Sequence, residues 1–312
     1  PPQCCKTADV QCSFNEFLFL AFENTQELQL LHSAVFLCIY LFALLGNGII
    51  ITAVVYDYHL HTFMYFFLLI LSVLDTGSTS TTVPKSMANS VWDIRTISYL
   101  GCAAQVFFLF FLLSAECSLL TVMAYDHFAA ICRPLHYETF VSSRACVKMA
   151  AAAWASGLLN AILHTANTFS IPLCQGNVME QFFCQVSQLL KLSCSDSYLR
   201  EAAIIVFNFC LVFGCFVFGV LSYVQNFTAV LSIPSEQGRH KAFSVCLPHL
   251  AVILLSVRTI TIASLKPLSI SSPSLDWGVA VLYAVVPPAV KPLIYSLRNK
   301  ELEDALRKLL QQ

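Results

Sequence analysis

Four charged residues stand inside otherwise apolar runs: Asp75, Glu116, Arg258 and Lys291. A charge at that depth is costly and is usually partnered. Asp75 and Glu116 fall at similar depth on neighbouring segments, and two carboxylates facing a small wet cavity suit a hard cation with oxygen ligands. The alternative is one proton shared between them, because adjacent like charges resist ionising together. A second group, Asp126-His127, ends an apolar run and joins an acid to an imidazole whose charge changes near neutral pH. None of the motifs HExxH, phosphate-binding loop or GxSxG is present, so hydrolytic and nucleotide chemistry have no support.

The elements that must position these residues are long apolar helices. Residues 28–56 contain no Asp, Glu, Lys or Arg, enough for one crossing of about 20 residues plus its ends. Six further spans fall at about 62–86, 99–127, 147–166, 199–228, 239–264 and 275–297, after a polar stretch 1–27. Residues 299–310 read as a short amphipathic helix, with Leu302, Leu306, Leu309 and Leu310 toward the membrane and Arg307 and Lys308 among headgroups. The fold class is therefore an all-α membrane protein, a seven-helix bundle with an amphipathic C-terminal helix. Nine Lys/Arg fall in segments assigned to the cytoplasm and six outside, which predicts the N-terminus out and the C-terminus in.

Composition agrees. Of 312 residues 57% are hydrophobic and 11% charged, against about 25% charged in soluble domains. A net charge of −1 gives no support for a nucleic-acid partner. Cys102, Cys174, Cys184 and Cys194 fall in segments assigned to the outside and allow three pairings, which spacing cannot choose between. The chain starts at Pro1 without a visible signal peptide, so the first span is expected to direct insertion. The one glycosylation sequon, Asn226-Phe-Thr, lies at an inner helix end where modification is not expected.

Motifs along nearly the whole chain resemble those of vertebrate olfactory receptors, a branch of the rhodopsin-like G-protein-coupled receptors. They are Leu60-His-Thr-Phe-Met-Tyr-Phe-Phe67, Met123-Ala-Tyr-Asp-His-Phe-Ala-Ala-Ile-Cys132, Ser222-Tyr223, Lys241-Ala-Phe-Ser-Val-Cys246 with His249-Leu250, and Pro292-Leu-Ile-Tyr-Ser-Leu-Arg-Asn-Lys300. Departures are Phe63 where the family has Pro, His127 where it has Arg, Lys291 where it has Asn, and the charge at Arg258.

The resemblance implies a plasma-membrane odorant receptor that binds a small volatile and activates a stimulatory, olfactory-type G protein to raise cAMP, with no cofactor. It implies disulfides Cys102–Cys184 and Cys174–Cys194. It also implies that Asn47 bonds toward the second helix and that Asp75 and Glu116 hold sodium. Lys291, packed as in the family, would reach that cavity and replace sodium as counter-charge. Asp126, His127, Tyr223 and Tyr295 would form the G-protein switch.

His lacks the planar five-donor fork of Arg, so weakened coupling is expected, against the alternative of a leaky resting state. Leu109, Phe110, Leu113, Ser114, Ile204, Phe207, Val257, Thr261 and Val281 would line an apolar ligand space, the alternative for each being helix packing. Arg258 would engage a polar ligand group or pair internally. Competing readings are a non-signalling receptor, because of residues 127, 258 and 291, and a transporter. For the latter no internal repeat or matched pair of broken helices is visible.

Overall fold

The computed structural model describes residues 16–19, 26–60, 62–91, 94–137, 141–171, 176–179, 183–184, 186–192, 198–265, 285–298, and 302, 304, 305 and 307. Among the described residues seven main helices run in order: α1 Gln26–Tyr56, α2 Phe63–Val91, α3 Tyr99–Cys132, α4 Ser143–Phe169, α5 Tyr198–Leu231, α6 Glu236–Leu265 and α7 Val286–Arg298. Among the described residues α1 to α6 each contain a stretch long and apolar enough to cross a membrane. Leu41, Leu45, Val147, Leu159, Leu221 and Val224 face outward along them, an apolar belt that needs lipid rather than water.

Several helices outrun the expected spans. α2 continues to Val91, α3 to Cys132 and α4 to Phe169. Charge and polarity mark where hydrocarbon ends, whereas backbone hydrogen bonding carries the helix on into the headgroups. The expected first half of the seventh span, up to residue 284, lies outside the described residues. Beyond α7, Leu302 and Ala305 are buried in the main core while Asp304 and Arg307 are exposed. Leu302 thus packs on the bundle, not on lipid as expected; Leu306, Leu309 and Leu310 lie outside the described residues.

α3 is the central rod, packed on α2, α4, α5 and α6. A core of Ile50, Leu71, Leu74, Leu119, Met123 and Tyr295 joins α1, α2, α3 and α7. α3 and α4 touch closely at Gly157, where an added Cβ would lie 2.8 Å from the Phe111 carbonyl oxygen and 3.0 Å from the Ala115 nitrogen. Small residues let apolar helices approach this far. Ser118 and Ser156 hydroxyls meet at 3.0 Å in the same interface.

α7 carries Pro292, which cannot donate to the Pro288 carbonyl one turn earlier. Asn47 fills that role: its amide donates to Pro288 O at 3.0 Å and to Ala43 O at 2.9 Å. Gly46 beside it leaves room, since a Cβ there would sit 3.0 Å from the Pro292 Cβ. Asn47 therefore serves the seventh helix, not the second as expected, because that is where a carbonyl lacks its helical donor.

A three-stranded sheet, absent from the sequence reading, closes the end of the bundle that carries the Cys102–Cys184 disulfide. β1 (Glu16–Phe19) runs antiparallel to β2 (Thr96–Ser98), with Phe17 opposite Ile97, and parallel to β3 (Val178–Met179), with Leu18 opposite Val178. Alternation drives Phe17 and Phe19 inward, where they pack with Val106, Met179 and Leu189 around the Cys102–Cys184 disulfide.

Candidate functional site

Midway along the bundle, Lys291 on α7 meets both internal acids. Its Nζ donates to Asp75 Oδ1 on α2 at 2.7 Å and to Glu116 Oε1 on α3. Lys291 and Asp75 are each 1% exposed. Ser256 on α6 adds a 3.5 Å contact from its hydroxyl to Glu116 Oε1. Four helices thus converge on one polar cluster inside an apolar bundle. Burying charges is expensive and is offset only when they are paired and hydrogen-bonded, as these are.

At the opposite end of α3 from the disulfide, Asp126 is buried and accepts a hydrogen bond from the Tyr137 hydroxyl at 2.7 Å. Tyr137 lies in the loop just past α3 and packs against Phe63 at the start of α2, ring centroids 6.5 Å apart. Burial, reinforced by its bond to Asp126, raises the Tyr137 phenol well above its ordinary range, so it stays a donor. His127 is buried, its ring edge-on to that of His249 on α6 at 5.0 Å. His249 Nδ1 is hydrogen-bonded to the Tyr223 hydroxyl on α5. The Nε2 atoms of His127 and His249 and the Tyr295 hydroxyl have no hydrogen-bond partner among the described residues. Asn226, the sequon residue, is 1% exposed and accepts from Cys132 Sγ at 3.6 Å, which excludes it as a surface glycan site in this conformation.

The expected ligand residues separate into groups. Leu109 packs with Phe36, Val83, Phe183 and Val285, and Leu113 lies against the same cluster. Phe110 stacks on His164 of α4 at 4.0 Å, and Ser114 accepts a 2.7 Å hydrogen bond from Asn160 of α4. The four therefore do not line one space together. Pairs four apart, 109/113 and 110/114, make two adjacent stripes, and the second is taken up by α4.

Arg258 is exposed in line with Ala251 and Leu254, away from the buried face of Val252, Ser256 and Thr259. It points to the outside of the bundle, not into a ligand space as expected. Ile204, Phe207 and Thr261 sit on α5 and α6, their side chains outside the description, as is all of Val281. Cys174 and Cys194 also lie outside the described residues, whereas Cys102 and Cys184 are bonded, Cα atoms 5.5 Å apart.

A cavity of about 40 Å³ does open between α3, α5 and α6, one to two turns deeper than expected. Of the expected residues whose side chains are described, only Val257 lines it, with Cys117, Thr121, Cys215, Phe216 and Ser256 among its other walls. At about 10–15 Å³ for each water-sized group it holds roughly three such groups.

Residues that the sequence reading did not single out complete this picture. Gln105 is buried on α3, donating to Thr81 O at 3.0 Å and accepting from the Cys184 N–H at 2.9 Å. It thereby ties α2 and the loop that carries Cys184 to α3. A glutamine three residues after a disulfide cysteine, one helical turn along, was the available signal. Tyr137 and Ser256 gave none, since both look like ordinary loop and helix polar residues.

The apolar spans, the central α3 and the buried polar cluster define a polytopic helical membrane protein of the seven-helix receptor class. The family model described as olfactory receptor matches residues 36–312. Human olfactory receptor 14A16 is 48% identical over 295 residues, covering 95% of each chain. Human olfactory receptor 14J1 is 47% identical over 298 residues, covering 96% of this chain and 93% of its own. The chain belongs to the olfactory receptor family. It is accordingly a multi-pass membrane protein with odorant receptor function rather than an enzyme.

Proposed function

We propose that the chain sits in the plasma membrane with its N-terminus outside and binds a small, mostly apolar volatile between its helices. It then activates a stimulatory G protein and raises cAMP. One observation carries this reading. Ile253 on α6 lines the cavity and also packs against the cluster of Ala124, Tyr223 and Cys246. A ligand that enlarges the cavity therefore pushes on the residue that supports the α3–α5–α6 junction. The Lys/Arg bias supports the orientation, and the apolar cavity walls support the ligand class. The test is a panel of volatiles applied to surface-stained cells carrying a cAMP reporter and a stimulatory G protein. A dose-dependent response lost on Ile253→Ala, with surface density unchanged, supports the reading. Surface-expressed protein silent to every member while a sibling receptor responds counts against it.

A second reading, weakened coupling, is favoured by His127. In place of a guanidinium it offers a buried ring with Nε2 unpartnered among the described residues, while Asp126 is held by Tyr137. Both readings share one structure and differ in the size of the cAMP response.

A further inference from the structure

The family resemblance implies sodium between Asp75 and Glu116, and the residues present do not fit it. A hard cation needs several oxygen ligands converging on one point. Here the converging point is taken by the Lys291 ammonium, 2.7 Å from Asp75 Oδ1 and hydrogen-bonded to Glu116 Oε1. The lysine is 1% exposed, so its head is held away from water among the helices. A metal ion bound to the same two oxygens would sit next to an ammonium in a low-dielectric interior, where like charges repel strongly. The hydroxyl of Ser256 already turns to Glu116 at 3.5 Å.

We infer that Lys291 is a tethered internal cation that closes this site to sodium and fastens α7 to α2 and α3. A diffusible ion leaves when helices shift and returns according to its concentration. A tethered one does neither. The resting arrangement of this receptor is therefore independent of extracellular sodium, and parting α7 from α2 and α3 requires breaking two buried ion pairs rather than losing an ion.

The test needs neither odorant nor G protein, so its outcome is separate from that of the signalling proposal. Full-length receptor in lipid nanodiscs is melted in sodium chloride and in choline chloride at equal ionic strength. Equal midpoints for the wild type support the inference; a wild-type midpoint higher in sodium than in choline overturns it. Lys291→Asn removes the tethered charge and leaves two carboxylates facing vacated space. It is expected to melt higher in sodium than in choline, because a ligand bound only by the folded state stabilises it. A folded Lys291→Asn protein that melts equally in both salts overturns the claim that Lys291 is what excludes sodium. If that variant does not fold, the wild-type comparison still decides.

Discussion

Replacing Lys291 by Met keeps most of the side-chain volume and removes the charge. Its ammonium lies 2.7 Å from Asp75, and at an effective dielectric constant of about 20 one such pair is worth roughly 6 kcal/mol before desolvation. Removing one partner of a buried pair costs about 3–5 kcal/mol net, because the survivor is left uncompensated. Two carboxylates lose the same partner here, which places Lys291→Met at the upper end of that range. The assay is the thermal midpoint of purified receptor in choline chloride, with surface abundance as a cellular readout. Both should fall clearly. Adding Asp75→Asn and Glu116→Gln to Lys291→Met removes the orphaned charges and should restore most of the loss. A single variant as stable as wild type, or a triple variant no better than the single, would refute the ion-pair account.

Gly157→Leu forces a side chain against the α3 backbone at 2.8 Å and should destabilise by about 1–3 kcal/mol; an unchanged midpoint would contradict the close crossing. Cys184→Ser unties the outer loop from α3 and should cost about 2–5 kcal/mol, seen as lost surface staining under non-reducing conditions. Tyr137→Phe deletes the donor to Asp126, a bond to a buried acid worth about 1.5–3 kcal/mol. It should raise basal cAMP at matched surface density, and unchanged basal signalling would show that the Tyr137–Asp126 bond does not hold the silent state.

The all-helical membrane fold was readable because apolar runs free of charge admit few other structures in a chain this hydrophobic. The buried charges were readable for the same reason: Asp75, Glu116 and Lys291 stand out against their surroundings. Which way a helix turns was not readable. In lipid the outward face is as apolar as the inward one, so no polar stripe marks the side that Arg258 occupies or divides Leu109/Leu113 from Phe110/Ser114. The outer sheet was invisible because Glu16–Phe19 is four residues long and its partners lie far along the chain. Asn47 was recognised as a polar tie, yet its destination depended on Pro292, a residue 245 positions away whose missing N–H is a property of the fold, not of the local sequence.

The measurement that bears most directly on signalling is a paired dose–response in a cAMP reporter cell, wild type against His127→Arg, at matched surface density and with a volatile that activates either. An arginine restores a charge-assisted donor fork worth about 1.5–3 kcal/mol, roughly 10- to 150-fold in the coupling equilibrium. The account predicts a measurable wild-type response that His127→Arg markedly enlarges. Equal responses from the two proteins would contradict it.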